Sequence, residues 1–175
     1  FKKRLLSMEE MEAGFAELKE KTQSINPNIK FLLTVSPVRH VKDGMANNNL
    51  SKSILRVFCE RVSNSDDVHY FPSFEIMMDD LRDYRFYADD MLHPTSKAED
   101  YIFDKFTEAF MTPSTQDLML KWQTIRTALN HRAFNPSSSA HLKFLSRLKI
   151  NLIEISGSLD VSKELADVTS QLEEG

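Results

Sequence analysis

An α/β fold with parallel strands is predicted for the front of the chain, continued by a purely helical extension. Three observations predict it. Two short apolar runs, KFLLTVS and DVHYF, alternate with two helical patterns in the order α-β-α-β, and such alternation places parallel strands side by side with helices on the sheet faces. From Thr112-Pro113 onward no strand of comparable quality appears, and three amphipathic stretches follow. The 175 residues suffice for one core and fall short of two complete domains. Residues 1–112 are therefore assigned to the α/β part and 113–175 to the helical extension.

Taken in order, Ser7 and Glu10 have capping-box spacing, and Met8, Met11, Phe15 and Leu18 recur on one helical face until Asn26-Pro27 stops them. This predicts a first helix over 7–23. Lys30 to Ser36 is short and apolar enough for a buried strand, ended by Pro37. A loop with Asp43-Gly44 and three asparagines, 47–49, leads to Leu50, Ile54, Phe58 and Val62 at helical spacing, with Asn49 or Ser51 as the cap. Asp67 to Phe71 is the second strand, and PSFEIMMDDLRDY is a short helix and turn. Ser96 and Glu99 repeat the capping-box spacing ahead of a stripe of Ile102, Phe103, Phe106 and Phe110. The tail stripes are Leu118, Trp122, Ile125 and Leu129; Leu142, Leu145, Leu148 and Leu152; and Val161, Leu165, Val168 and Leu172, with NPSSSA (135–140) as a turn.

Composition narrows the function classes. Hydrophobic and charged fractions of 41% and 27% are those of a chain that folds. A formal charge of -4 argues against a nucleic-acid partner, because neutralising phosphates takes clustered Lys and Arg. No apolar run approaches the length of a membrane span, so no membrane partner is expected. Cys59, the only cysteine, excludes an intrachain disulfide and tilts the compartment toward a reducing, cytoplasmic one.

The stretch YRFYADDMLHPTSKAEDYIF (84–103) carries the one motif with chemistry in it. Asp90 precedes His93 by three positions in a loop before a helix start. A histidine acting as general base needs a carboxylate to fix its tautomer and to stabilise the imidazolium. A turn can bring the two together while the second ring nitrogen faces a nucleophile. The same letters also fit a loop of solvated carboxylates, Asp89 and Asp90, with His93 as a helix-start residue.

Longer stretches point further. TVSPVRHVKDG, NNNLSKSIL and YFPSFEIMMDDLRDYRFYADDMLHPT resemble the GSCFA family of the SGNH (GDSL-like) hydrolases, as does FKKRLLSMEEM. The resemblance covers about Phe1 to Phe110 and extends into the tail. It implies a three-layer α/β/α fold and hydrolysis of a small-molecule or carbohydrate ester by a Ser-His-Asp triad, with His93 as base and Asp90 as its orienting acid. The family's serine lies in a G-S-C-F-A stretch, and no GSCFA, GDS or G-x-N sequence occurs here. Together with the opening FKKRLLSMEE, which has neither an initiator Met nor an apolar leader, this gives the expectation of a C-terminal part whose N-terminal half packs against it. The alternative is a noncatalytic binding or assembly module of the same fold, using the Val161–Leu172 stripe.

The remaining candidates carry two readings each. Ser36 ends the first strand and is structural or substrate-lining. Tyr84 and Arg85 line a substrate cleft, with Arg85 on an anionic group, or belong to a packed loop in which Arg85 pairs with Asp83 or Asp89. Lys52 is read as solvated, Cys59 as packing and His69 as a core histidine. Gly157-Ser158-Leu159-Asp160 superficially resembles GDSL but falls in the tail, and is read as a turn. His40, His69, Asp89, Asp90 and His93 match no compact metal-ligand spacing, so no metal or other cofactor is expected.

Overall fold

The computed structural model describes residues 4–131, 134–135 and 138–174. The chain divides into two compact units, Phe1–Ala109 and Phe110–Gly175. The architecture is mixed α/β and 67% helical, with a single two-stranded parallel sheet among the described residues.

In the first unit, α1 (Met8–Ile25) begins with the expected capping box: Ser7 Oγ accepts from the Glu10 amide and the Glu10 carboxylate accepts from the Ser7 amide. The helix runs two residues past Gln23, to Ile25. Phe15 holds it edge-on to Phe31 and Phe58, with ring centroids 5.6 and 5.9 Å apart. Phe31 opens β1 (Phe31–Leu33), Phe58 lies on α2 (Met45–Val62), and β2 is Val68–Tyr70. Parallel pairing sets Phe31 against Val68, Leu32 against His69 and Leu33 against Tyr70. Lys19 and Gln23 of α1 both reach Asp67 at 2.7 Å, fixing the entry to β2.

The sheet is smaller than the sequence leads one to expect. Both strands stop at three residues, and past β1 side chains take over carbonyls that further rungs would use. The last rung is Phe71 N–H to Leu33 C=O at 2.8 Å. Beyond it the buried Ser73 hydroxyl donates to Val35 C=O, and Lys52 Nζ donates to Ser36 C=O. In place of the sheet of a three-layer sandwich, the described residues contain this one pair. Side-chain alternation also corrects the reading of His69: Val68 is buried at 1% exposure, so its neighbour faces the other side of the sheet and is exposed.

Helix α2 starts at Met45, five residues before Leu50, and takes the three asparagines into its first turns. Gly44, with φ +81°, is the residue that turns the chain into it. Neither Asn49 nor Ser51 is therefore a cap; the Ser51 hydroxyl donates to Asn48 C=O. After β2 a helical turn, α3 (Ser73–Glu75), widens into a π-helical segment, Ile76–Asp80, closed by Leu81 N–H to Ile76 C=O. α4 (Ser96–Phe110) starts at Ser96 itself, so Thr95 takes the capping position: its carbonyl accepts from Ala98 and Glu99 at 2.9 Å. Met77, Leu81, Tyr87 and Ala98 form a buried cluster beneath this segment.

The second unit is helical. α5 (Pro113–Leu129) is capped by Thr112 with proline in its first turn, and α6 (Ser139–Ile155) is capped by Ser138. A turn at 156–159 that includes Gly157 leads to α7 (Ser162–Glu174), where Asp160 accepts from the Ser162 amide. The expected stripes, joined by Ile155, supply one core: Ile125, Leu145, Leu148, Leu152, Ile155, Val161 and Val168. Part of the 135–140 turn lies outside the described residues.

Leu152 is fully buried in that core, and Trp122, the one tryptophan, packs against it. We predict that Leu152→Ala destabilises the second unit by about 2–5 kcal/mol. Urea unfolding followed by Trp122 fluorescence measures it, and an unchanged midpoint would contradict this packing.

Candidate functional site

The 88–95 loop is a tight reversal. Tyr87 and Pro94 form an antiparallel bridge, Ala88 N–H donates to His93 C=O at 2.8 Å, and Met91 N–H donates to Ala88 C=O at 2.8 Å. Met91 carries φ +59°, a left-handed conformation that a non-glycine residue enters at a cost. The Asp90 carboxylate stabilises this turn, with Oδ1 accepting from the amides of Leu92 (2.8 Å) and His93 (3.0 Å).

Oδ2 of the same carboxylate lies 2.6 Å from His93 Nδ1. The His93 amide first, then its ring and the Leu92 amide, hold the Asp90 carboxyl down to about 2 from its ordinary 3.8. An ionised carboxylate only accepts, so Nδ1 carries the proton of this bond, and in the neutral ring Nε2 holds the lone pair. Both side chains are exposed, 46% for Asp90 and 58% for His93. The arrangement can take a proton at Nε2 and stabilise the cation that results.

Arg39 also holds this loop. Its amide donates to Leu92 C=O (3.1 Å), its Nη1 donates to Met91 C=O (3.2 Å), and its guanidinium stacks 3.8 Å from the Tyr87 ring centroid. Arg39 is itself placed by α2. Asn48 Oδ1 accepts from the His40 amide at 2.7 Å, and Lys52 Nζ donates to Ser36 C=O at 2.5 Å. Asn48 and Lys52 stand one helical turn apart, on the face turned toward the loop after β1. Lys52 is thus buried rather than solvated, and desolvation pushes its pKa down. Reading it as solvated followed from taking the Leu50 stripe as the buried face, whereas the helix buries Asn48, Lys52 and Cys59 and leaves Leu50 exposed.

The other candidates are distributed around Arg39. Ser36 borders a cleft of about 330 Å³ with Arg39, His40, Ser51 and Lys52, and its hydroxyl accepts from the Val38 amide at 3.2 Å. Tyr84 borders a second cleft of about 260 Å³, walled by Arg39, Tyr87 and Met77. Arg85 lines neither. It takes the packed-loop alternative, with Nη2 2.9 Å from Asp83 Oδ2. The structure therefore brings Asp90 and His93 together, leaves Arg85 aside, and adds Arg39, Asn48 and Lys52. The V-R-H run after the first strand was the one trace of Arg39 in the sequence. Cys59 is a buried free thiol whose pKa burial pushes up. Among the described residues no group of three or more His, Cys, Asp or Glu could hold a metal ion, and no helix is long and apolar enough to cross a membrane.

Compared with known protein families, residues 1–106 match the GSCFA family, and residues 122–174 match the GSCFA domain protein, C-terminal domain. The first match covers more than half of the chain, and the protein belongs to the GSCFA family. No curated protein and no solved structure matches it.

Because folding depresses the Asp90 pKa, the carboxylate contributes stability that is present above its ordinary 3.8 and is lost as pH falls through about 2. We predict that the Asp90 side-chain carboxyl carbon, followed by NMR, titrates near 2 in the native protein and moves toward 3.8 in His93→Ala. A midpoint of 3.8 in the native protein would mean that the pair is not formed in solution.

Proposed function

We propose that this chain carries the acid–base half of a serine hydrolase of the SGNH type, acting on ester bonds. The single observation that carries the reading is the Asp90–His93 pair, 2.6 Å apart, with the carboxylate immobilised by two amides of its own loop. Membership of the GSCFA family agrees with it. The nucleophile belongs to residues preceding Phe1, since no GSCFA or GDS stretch occurs within the sequence.

In this mechanism His93 Nε2 takes the serine proton as the oxygen bonds to the ester carbonyl. Asp90 stabilises the imidazolium, which then protonates the departing alkoxide. Water enters with His93 again as base, releasing the acid and restoring the serine. Donors to the developing oxyanion are assigned to the same preceding residues. We further propose that those residues pack on the open side of the sheet, where Leu32 and His69 stand opposite each other, both exposed.

Hydrolysis of p-nitrophenyl acetate tests the proposal. We predict that the 175 residues alone turn over no faster than their His93→Ala variant, whereas the protein that includes the preceding residues is active. In that longer protein His93→Ala should lose about 10³-fold or more, and Asp90→Asn should also be impaired. Activity that survives His93→Ala unchanged would overturn the assignment of the base; a noncatalytic module would show no difference among the variants.

A further inference from the structure

The two amides that immobilise Asp90 Oδ1 belong to two successive peptide units, Met91–Leu92 and Leu92–His93. The carbonyl oxygens of the same two units are the ones that Arg39 takes: Met91 C=O through Nη1 and Leu92 C=O through its amide. A trans peptide is planar, with its C=O and N–H pointing in opposite directions. Gripping the oxygen therefore fixes where the N–H at the other end points. A donor on the oxygen also polarises the unit and strengthens the N–H as a donor. Each plane thus links Arg39 at one end to the Asp90 carboxylate at the other.

This turn needs such a grip. Its tip, Asp90 to Leu92, is exposed or half-buried, and Met91 stands at φ +59°, which a non-glycine residue keeps only where its surroundings over-determine it. Among the described residues, the hydrogen bonds that tie the tip to chain outside the loop both come from Arg39. Water could satisfy either carbonyl but would not fix its direction. Arg39 can, because its guanidinium lies 3.8 Å from the Tyr87 ring centroid, and Tyr87 is buried with Met77, Leu81 and Ala98. Tyr87 is also the base of the loop, bridged to Pro94. We propose that Arg39 is a positioning residue for the reaction: it braces the tip of the loop against its base and, through two peptide planes, aims Asp90 Oδ2 at His93 Nδ1. For turnover this role rests on the hydrolase reading; the bracing of the pair is a property of the chain itself.

The test reads the pair and the turnover separately. The His93 amide, the His93 ring and the Leu92 amide hold the Asp90 carboxyl down to about 2, so its midpoint reports this turn. In Arg39→Met, NMR titration of the Asp90 carboxyl carbon should place the midpoint above that of the native protein, toward 3.8. The Leu92 amide proton should move as well, because the Met91 peptide loses its side-chain donor while Leu92 C=O keeps the Arg39 amide. Arg85→Met is the control: Arg85 pairs with Asp83, and its loss should leave the Asp90 midpoint where it is. Should Arg39→Met fail to fold, Arg39→Lys, which keeps the charge and the stem but loses the stacking plane, is read by the same titration and should also raise the midpoint. In the longer protein Arg39→Met should lower kcat for p-nitrophenyl acetate at least about tenfold, with KM changed less than about twofold. An Asp90 midpoint unmoved in the Arg39 variant, or moved equally in Arg85→Met, would overturn the proposal, as would an active longer protein whose kcat is indifferent to Arg39→Met. A raised midpoint in a longer protein that hydrolyses nothing would support the bracing and sink the hydrolase reading alone.

Discussion

The Lys52 ammonium, buried on α2 and bonded to the carbonyl of Ser36, is the contact from which the rest of the site is built. It fixes where the chain goes after β1 has stopped. One turn earlier on the same helix Asn48 takes the His40 amide, so the segment between Ser36 and His40 is held at both ends. Arg39 lies inside that segment, and its amide and guanidinium are the groups that reach the 88–95 loop. A disturbance at Lys52 would thus be felt at His93 through two carbonyl contacts and no direct one.

Within the loop, the geometry of the Asp90–His93 pair follows from how the carboxylate is divided. Oδ1 is used up by two amides, which orients Oδ2 toward the ring. The left-handed Met91 between them is the local cost of that turn, and Arg39 stabilises it by taking the Met91 carbonyl. Exposure of both side chains is consistent with this division, because orientation comes from backbone hydrogen bonds rather than from burial. It also means that the pair is maintained by charge-assisted hydrogen bonds that persist to low pH.

The helices and the order of elements were legible in the sequence wherever an apolar stripe or a cap wrote them down, as at Ser7 and Leu145–Leu152. Asp90 and His93 were legible because both lie within one turn of chain. Lys52 and Arg39 were not, for a physical reason: a lysine on a helix looks the same whether its face meets water or a carbonyl, and α2 buries the face of Asn48, Lys52 and Cys59 while Leu50, which leads the apolar stripe, is exposed. Arg85 drew attention as the cation inside the motif, yet Asp83, two residues away, neutralises it. Strand lengths were overestimated at both β1 and β2; past β1 the apolar letters continue while Ser73 and Lys52 capture the carbonyls of Val35 and Ser36.

That capture explains why so short a sheet can carry a defined site. Three paired residues provide few rungs, and isolated strands of that length are marginal without packing. In the first unit the missing order is supplied by polar side chains reaching across from helices: Ser73 to Val35, Lys52 to Ser36, Asn48 to His40, Gln23 and Lys19 to Asp67. In the second unit the order comes from a contiguous apolar core, and its caps serve only the helix ends. The two units therefore tolerate different changes. Volume-conserving apolar swaps suit the second, whereas in the first the replacement of Ser73, Asn48 or Lys52 takes away the hydrogen-bond partner of a backbone group. A site assembled in this way is specified by directional bonds more than by volume, which suits a histidine whose chemistry depends on where one nitrogen points.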